Sequence, residues 1–393
     1  MLNSIAYIFI LGCILSYFMK KIKLPALFGM LITGMILGPF ALNILDEKIL
    51  NISAELRRIA LIIILARAGF TLDISDLKKV GRPAVLLSFM PASFEIMAMA
   101  IFAPLLLKID LIDALIMGAV VAAVSPAVVV PKMIYLMENG YGKKNSIPQM
   151  IMAGASVDDI FVIVLFTSFV SIAKGGNIDV MSFVNIPISI ATGIILGYAV
   201  GKLYGIFLKK IKMENTIQTM ITLSIAFLLA STEEVQNIIP ISGLIAVMAL
   251  GIGTQSTNFE AAAEISSGFR SLWSGAEILL FVLVGAEVNL GYALKLGPIA
   301  LVTIILCLMV RMVGVYVSVL GTKLNRGERI FSMLAYTPKA TVQAAIGAIP
   351  LAMGLKCGPQ VLTVAVLAIL FTAPFGAFMI DRYKYLLKSE PPA

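Results

Sequence analysis

Two carboxylates stand side by side in "GASVDDI" (Gly154–Ile160): Asp158 and Asp159, with apolar residues almost all around them. Neighbours on a helix point about 100° apart, so the two cannot face the same spot. One reading makes one of them the functional acid and the other a structural hydrogen-bonder. Either way, two carboxylates this close in a low dielectric cannot both ionise cheaply, and one is then ready to exchange a proton for a metal cation. Hard oxygen donors suit an alkali cation, sodium for example, better than a transition metal. Ser156, within one turn, can add a hydroxyl ligand. Histidine is absent from the chain, which removes the side chain that titrates most readily near neutrality. Cys13, Cys307 and Cys357 lack metal or redox spacing and read as small hydrophobes.

Three further charges fall deep in apolar runs: Glu95, Arg311 and Lys339. An ionisable group inside a membrane span costs several kcal/mol and points to function or to a partner. Glu95 and Arg311 are expected to form a buried ion pair, with a purely structural role and a functional one both open. Arginine does not deprotonate in proteins and is a poor proton carrier. Lys339 directly follows Pro338, where its ammonium is expected to neutralise the negative C-terminal end of a half-helix. No acid near Pro126 plays the opposite role in the sequence.

The elements that must hold these residues are membrane helices. Of 393 residues 60% are hydrophobic and 13% charged, against about 25% charged in soluble domains. Apolar runs long enough to cross about 30 Å of hydrocarbon recur along the whole length. Helices are expected at 2–19, 25–42, 51–71, 83–107, 111–137, 147–173, 182–208, 216–232, 238–254, 270–290, 296–321, 329–353 and 358–385, which makes thirteen spans in an all-α membrane protein. The first run lacks a basic leader and a clear cleavage site, and reads as a retained helix. The net charge of +8 is spread in short clusters between spans, so nucleic acid is not the partner. Alternate loops carry Lys20, Lys21 and Lys23; Lys78, Lys79 and Arg82; Lys143 and Lys144; Lys209, Lys210 and Lys212; Lys323, Arg326 and Arg329; and Arg382, Lys384 and Lys388. The intervening loops hold single lysines and acids such as Glu233 and Glu234. This asymmetry places the N-terminus outside and the C-terminus in the cytoplasm.

The chain also echoes itself. "PALFGMLITGMILG" from Pro25 matches "PISGLIAVMALG" from Pro240, "DLKKVG" corresponds in place to "ALKLGP", and Ser125-Pro126 corresponds to Thr337-Pro338. Glu95 and Arg311 keep the same register. Equivalent spans start on opposite sides, giving six-helix inverted repeats as in many secondary transporters. Proline in mid-span lacks an N–H and clashes with the preceding turn. Two prolines at matched positions, each after a hydroxyl residue, predict two discontinuous helices that cross at mid-membrane around Ser125, Pro126, Thr337, Pro338 and Lys339.

Taken together, "VSPAVVVP", "GASVDDI", "LFVLVGAEV" and "YTPKATVQAAIG" resemble the cation/proton antiporter superfamily, closest to the NHA-type sodium/proton antiporters. The likeness runs from the first span to the thirteenth. It implies an NhaA-like antiporter fold and a homodimer set among lipids. The dimerisation domain would comprise residues 1–72 and 216–290, the core ion-transport domain 83–173 and 296–388, and residues 182–208 a linker helix. It implies Asp159 as main cation and proton carrier with Asp158 beside it, and alternating access in a cell (inner) membrane with no cofactor and no organic substrate. Arg311 paired with Glu95 resembles the branch with electroneutral exchange, whereas paired aspartates are more typical of electrogenic members. The function expected is exchange of sodium or lithium for protons. Potassium/proton exchange and sodium-coupled symport of an organic anion are the alternatives, the latter disfavoured by core spans of Ala, Val, Ile and Leu. An intramembrane aspartyl protease needs its aspartates on separate helices, and a channel would pass far larger currents.

Overall fold

The computed structural model describes residues 1–22, 24–71, 81–175, 180–211, 213–232 and 241–387, without the side chains of residues 127, 156, 175 and 180–187. The expectations for Lys23, Lys78, Lys79, Lys212, Lys388, Glu233 and Glu234, for Pro240 and for "DLKKVG" up to Val80 lie outside these residues, as does the Ser156 side chain.

The described residues are helical nearly throughout. In chain order the helices are α1 (Leu2–Lys21), α2 (Ala26–Leu37), α3 (Glu47–Asn51), α4 (Ser53–Thr71), α5 (Arg82–Leu87), α6 (Met90–Leu107), α7 (Leu111–Ala122), α8 (Pro126–Glu138) and α9 (Ile147–Gly175). They continue with α10 (Val180–Lys210), α11 (Asn215–Ser231), α12 (Gly243–Thr257), α13 (Phe259–Ala286), α14 (Leu290–Ser318), α15 (Arg326–Ala335), α16 (Thr341–Gly347), α17 (Ile349–Ala352) and α18 (Gly358–Tyr383). Among the described residues seven helices are long and apolar enough to cross a membrane. Shorter apolar helices accompany them at Ala26–Leu37, Leu111–Ala122, Asn215–Ser231, Gly243–Thr257 and Thr341–Ala352.

Several boundaries differ from the sequence reading, each for a local reason. The second span stops at Leu37 because Pro39 forces the preceding Gly38 into an extended conformation (φ −70°, ψ 172°). The fourth is two helices, α5 and α6, parted just before Pro91, which occupies the first turn of α6. The tenth begins at Phe259 rather than 270, because "FEAAAEISSGF" is rich in helix formers although it is polar. The eleventh begins at Leu290, so "ALKLGP" lies inside α14 and not in a loop.

The chain forms two compact units. One comprises Met1–Asn51, Asp73–Ala173 and Phe281–Ala393. Within it α6 lies along α14, α7 packs on α6, and α18 runs against α7, α8, α14, α15 and α16. The buried residues of α14 include Ala300, Ile304, Cys307, Leu308, Arg311, Gly314 and Val315, a helical stripe that carries the arginine inward. At the end bearing the basic loops, Leu136, Ile147, Val319, Phe331, Ile380 and Leu387 belong to one buried cluster. Above that cluster Lys132 pairs with Asp381 at 2.6 Å and Lys384 lies over the Tyr135 ring.

The other unit comprises Ile52–Leu72 and Lys174–Leu280. Its spine is the contact of α10 with α12. Gly193, Gly197 and Gly201, four residues apart, face the backbone of Ser242, Ala246 and Leu250 so closely that a Cβ would overlap it. Small residues at this spacing let membrane helices approach and gain van der Waals contact where lipid offers no hydrophobic drive. On the other side of α12, Gly69 of α4 sits against Met248 and Gly251 in the same way.

Candidate functional site

The site lies in the first unit, where two helices are interrupted. Residues 123–125 separate α7 from α8, with Ala123 extended (φ −64°, ψ 141°) and Ser125 extended (φ −89°, ψ 107°). Residues 336–340 separate α15 from α16. The two interruptions touch: the Ser125 amide donates to the Pro338 carbonyl at 2.8 Å. Ser125, Thr337 and Lys339 are all buried.

Each break leaves helix-end carbonyls that need donors. Arg311 supplies both ends. Its Nε donates to the Tyr336 carbonyl just past α15 at 2.9 Å, and its Nη1 donates to Ala122, the last residue of α7. A guanidinium with a fixed fork of donors suits two carbonyl ends that converge, and its positive charge complements both helix dipoles. The same side chain pairs with Glu95 (Nη1 to Oε2, 2.8 Å) and with Asp158 (Nη2 to Oδ2, 3.3 Å). The expected Glu95–Arg311 contact is therefore present, and Asp158 extends it.

Lys339 departs from the expectation. Its ammonium bonds Glu95 Oε2 at 2.5 Å, while the helix-end carbonyls go to Arg311 and to Gln343. The reason is charge: a fully buried carboxylate offers an ammonium far more than a partial helix-end charge does. Glu95 is thus shared by two cations, all three buried. The acid missing near Pro126 in the sequence comes from another helix, since Asp158 Oδ2 accepts from the Val124 amide at 2.7 Å.

Asp158 and Asp159 occupy unlike surroundings. Asp158 is fully buried, tied to Arg311 and to Val124. Asp159 is partly exposed, its Oδ1 has no hydrogen-bond partner, and among the described residues no basic group lies within ion-pair distance of it. Two cations and two carboxylates are mutually paired, and Asp159 is the carboxylate left over. Buried oxygens without donors surround the crossing: Glu95 Oε1, Ser125 Oγ, Asp158 Oδ1, Asp159 Oδ1 and Gln343 Oε1. Such groups call for a water or an ion. Among the described residues no three His, Cys, Asp or Glu side chains converge as a metal centre.

Gln343 and Thr372 escaped the sequence reading. Gln343 Nε2 donates to the Val121 and Ala123 carbonyls at 3.2 and 2.7 Å, and Thr372 Oγ1 accepts from the Lys339 amide at 3.0 Å. Only the oddity of a glutamine four residues after Lys339 in an apolar helix marks the first; nothing marks the second.

Comparison with known proteins places the chain in a family. The family profile described as sodium/hydrogen exchanger, transmembrane, matches residues 6–383. Human sodium/hydrogen exchanger 9B1 is 34% identical over 371 residues, covering 91% of this chain and 71% of that protein. Mouse sodium/hydrogen exchanger 9B2 is 34% identical over 388 residues, covering 93% and 69%. Among solved structures, the sodium proton antiporter MjNhaP1 of Methanocaldococcus jannaschii at pH 8 superposes with a TM-score of 0.79 at 21% identity, covering 98% of this chain and 95% of that one. The fold is that of the antiporter, and the protein is a multi-pass membrane transporter, not an enzyme. The chain belongs to the sodium/hydrogen exchanger family within the cation/proton antiporter superfamily.

Proposed function

We propose that Asp159 is the carboxylate on which sodium and protons compete, and that the exchange is one for one and electroneutral. The observation that carries this is the pairing at the crossing, which leaves Asp159 partly exposed and without a cationic partner. With Asp159 protonated or holding one monovalent cation, the cluster of Glu95, Asp158, Asp159, Arg311 and Lys339 is formally neutral. With neither, it carries one uncompensated negative charge in the membrane. A central aspartate costs about 2.5–3.5 kcal/mol on insertion scales, so the empty form crosses roughly a hundredfold less often than the loaded ones, at 1.4 kcal/mol per decade. That penalty couples the fluxes. Arg311 and Lys339 keep their partners through the cycle and add no charge of their own to the exchange.

Lithium fits the same oxygen-lined position. Ser156 is proposed as a hydroxyl ligand and Asp158 as the residue that tunes Asp159. The working unit would be a homodimer in the cell membrane, N-terminus outside and C-terminus cytoplasmic. Thirteen spans are counted by joining α5 to α6, α7 to α8 and α15 to α17 and leaving out the short α3. The inverted repeat is supported by the matched breaks and by the Glu95–Arg311 contact. Residues 1–72 and 216–290 would form the dimerisation domain, and 83–173 and 296–388 the core that moves the site by alternating access, joined by the linker helix 182–208.

The test is transport in proteoliposomes. A sodium jump should drive proton movement seen by a pH dye with no current on a solid-supported membrane. Asp159→Asn should abolish it while the protein still elutes as a folded species. Normal exchange by Asp159→Asn would remove the proposal, and a sodium-evoked current would remove its electroneutral part.

A further inference from the structure

Gln343 grips the same peptide group that holds Asp158. Its Nε2 donates to the Ala123 carbonyl at 2.7 Å, and the amide of that very peptide, Val124 N–H, donates to Asp158 Oδ2 at 2.7 Å. In a trans peptide the carbonyl and the N–H point in opposite directions, so Gln343 and Asp158 hold one plane from its two edges. A second bond from Nε2 to the Val121 carbonyl leaves the side chain little freedom, and it is completely buried. Two carbonyl acceptors on one side fix the amide the right way round, with its own oxygen turned away. The bonds of this peptide go to side chains, its carbonyl to Gln343 and its N–H to Asp158, so its orientation depends on those two residues.

We propose that Gln343 is a positioning residue for cation binding: by fixing the Ala123–Val124 peptide it sets the place and hydrogen bonding of Asp158, and through Asp158 the affinity of the neighbouring Asp159 for sodium. The hydrogen bond at the carbonyl polarises the peptide and strengthens its N–H as a donor to the carboxylate. Losing it weakens the hold on the Asp158 charge, which then falls more heavily on Asp159. The inference rests on the sodium/proton reading above.

The experiment measures sodium-driven proton movement in proteoliposomes for Gln343→Met, which keeps the shape without the donor, alone and with Asp158→Asn. Gln343→Met is expected to change the sodium KM on the order of tenfold, with a smaller effect on maximum rate. Gln343→Asn, a donor on a shorter arm, should fall between Met and the wild type. In the Asp158→Asn background the Gln343 effect on KM should largely disappear, since the group it acts through is altered. An unchanged KM, or the same KM change in both backgrounds, would overturn the inference and leave the exchange mechanism standing. Should Gln343→Met fail to fold, Gln343→Asn in the two backgrounds is read in the same way. A wild-type protein that moves no protons on sodium addition would overturn the functional reading itself.

Discussion

Glu95 sits between two cations, so removing its charge should expose how the buried cluster is held. In Glu95→Gln, Lys339 loses the one carboxylate it bonds among the described residues (2.5 Å), whereas Arg311 retains Asp158 at 3.3 Å and two backbone carbonyls. Stranding a buried charge costs about 3–5 kcal/mol. At about 2 °C per kcal/mol, the low end for large domains, the melting temperature in detergent should fall by roughly 6–10 °C. Lys339→Met alone should cost less, because Glu95 keeps Arg311 at 2.8 Å. The double variant Glu95→Gln/Lys339→Met no longer buries the stranded ammonium and should be more stable than the sum of the singles requires, by roughly 1–3 kcal/mol. Arg311→Ala strips donors from Glu95, Asp158, Ala122 and Tyr336 at once and should be the most damaging of the series. The assay is thermal melting of purified protein followed by size-exclusion fluorescence. Additive effects of Glu95→Gln and Lys339→Met, or an Arg311→Ala variant no worse than Lys339→Met, would refute the shared-carboxylate reasoning.

Asp158→Asn should still accept the Val124 amide through its carbonyl oxygen but lose the charge facing Arg311, leaving a folded protein with an altered pH profile of exchange; proteoliposome rates across pH check this against wild type. Gly197→Val should prevent assembly of the second unit, because its Cβ would overlap the Ala246 backbone and a main-chain atom cannot swing aside; loss of the monodisperse folded peak is the readout, with Gly291→Ala, whose nearest neighbour is the Asn289 side chain at 3.5 Å, as the tolerated control.

Membrane character was legible from composition alone, because few fully helical apolar segments have any other environment. The interruptions were legible from the matched positions of Pro126 and Pro338, each after a hydroxyl residue, and not from proline alone, since Pro104, Pro131, Pro298 and Pro374 lie inside unbroken helices. The Glu95–Arg311 contact was expected from the matched register of the two residues, and the two side chains meet at 2.8 Å. Helix starts were read less well: the apolar criterion placed the tenth span at 270, while the polar, helix-forming "FEAAAEISSGF" carries α13 back to Phe259.

Residue spacing did not decide which of Asp158 and Asp159 is tied to Arg311; only the family resemblance singled out Asp159, as the expected carrier. Their adjacency guarantees that they point about 100° apart, but which direction meets Arg311 and the Val124 amide depends on how α9 is rotated against α7 and α14. Lys339 is a similar case: its position beside Pro338 promised a helix-end role, and only the packing of α6 showed a carboxylate within 2.5 Å. Gln343 and Thr372 satisfy backbone groups that exist only because the helices are broken and crossed, and no local pattern announces such partners. The sequence determined which residues carry charge into the membrane and where the helices must break, because those are properties of single residues and their spacing. The tertiary structure decided which charges neutralise one another and which carboxylate is left over, because buried pairing is fixed by distances between segments more than 150 residues apart along the chain.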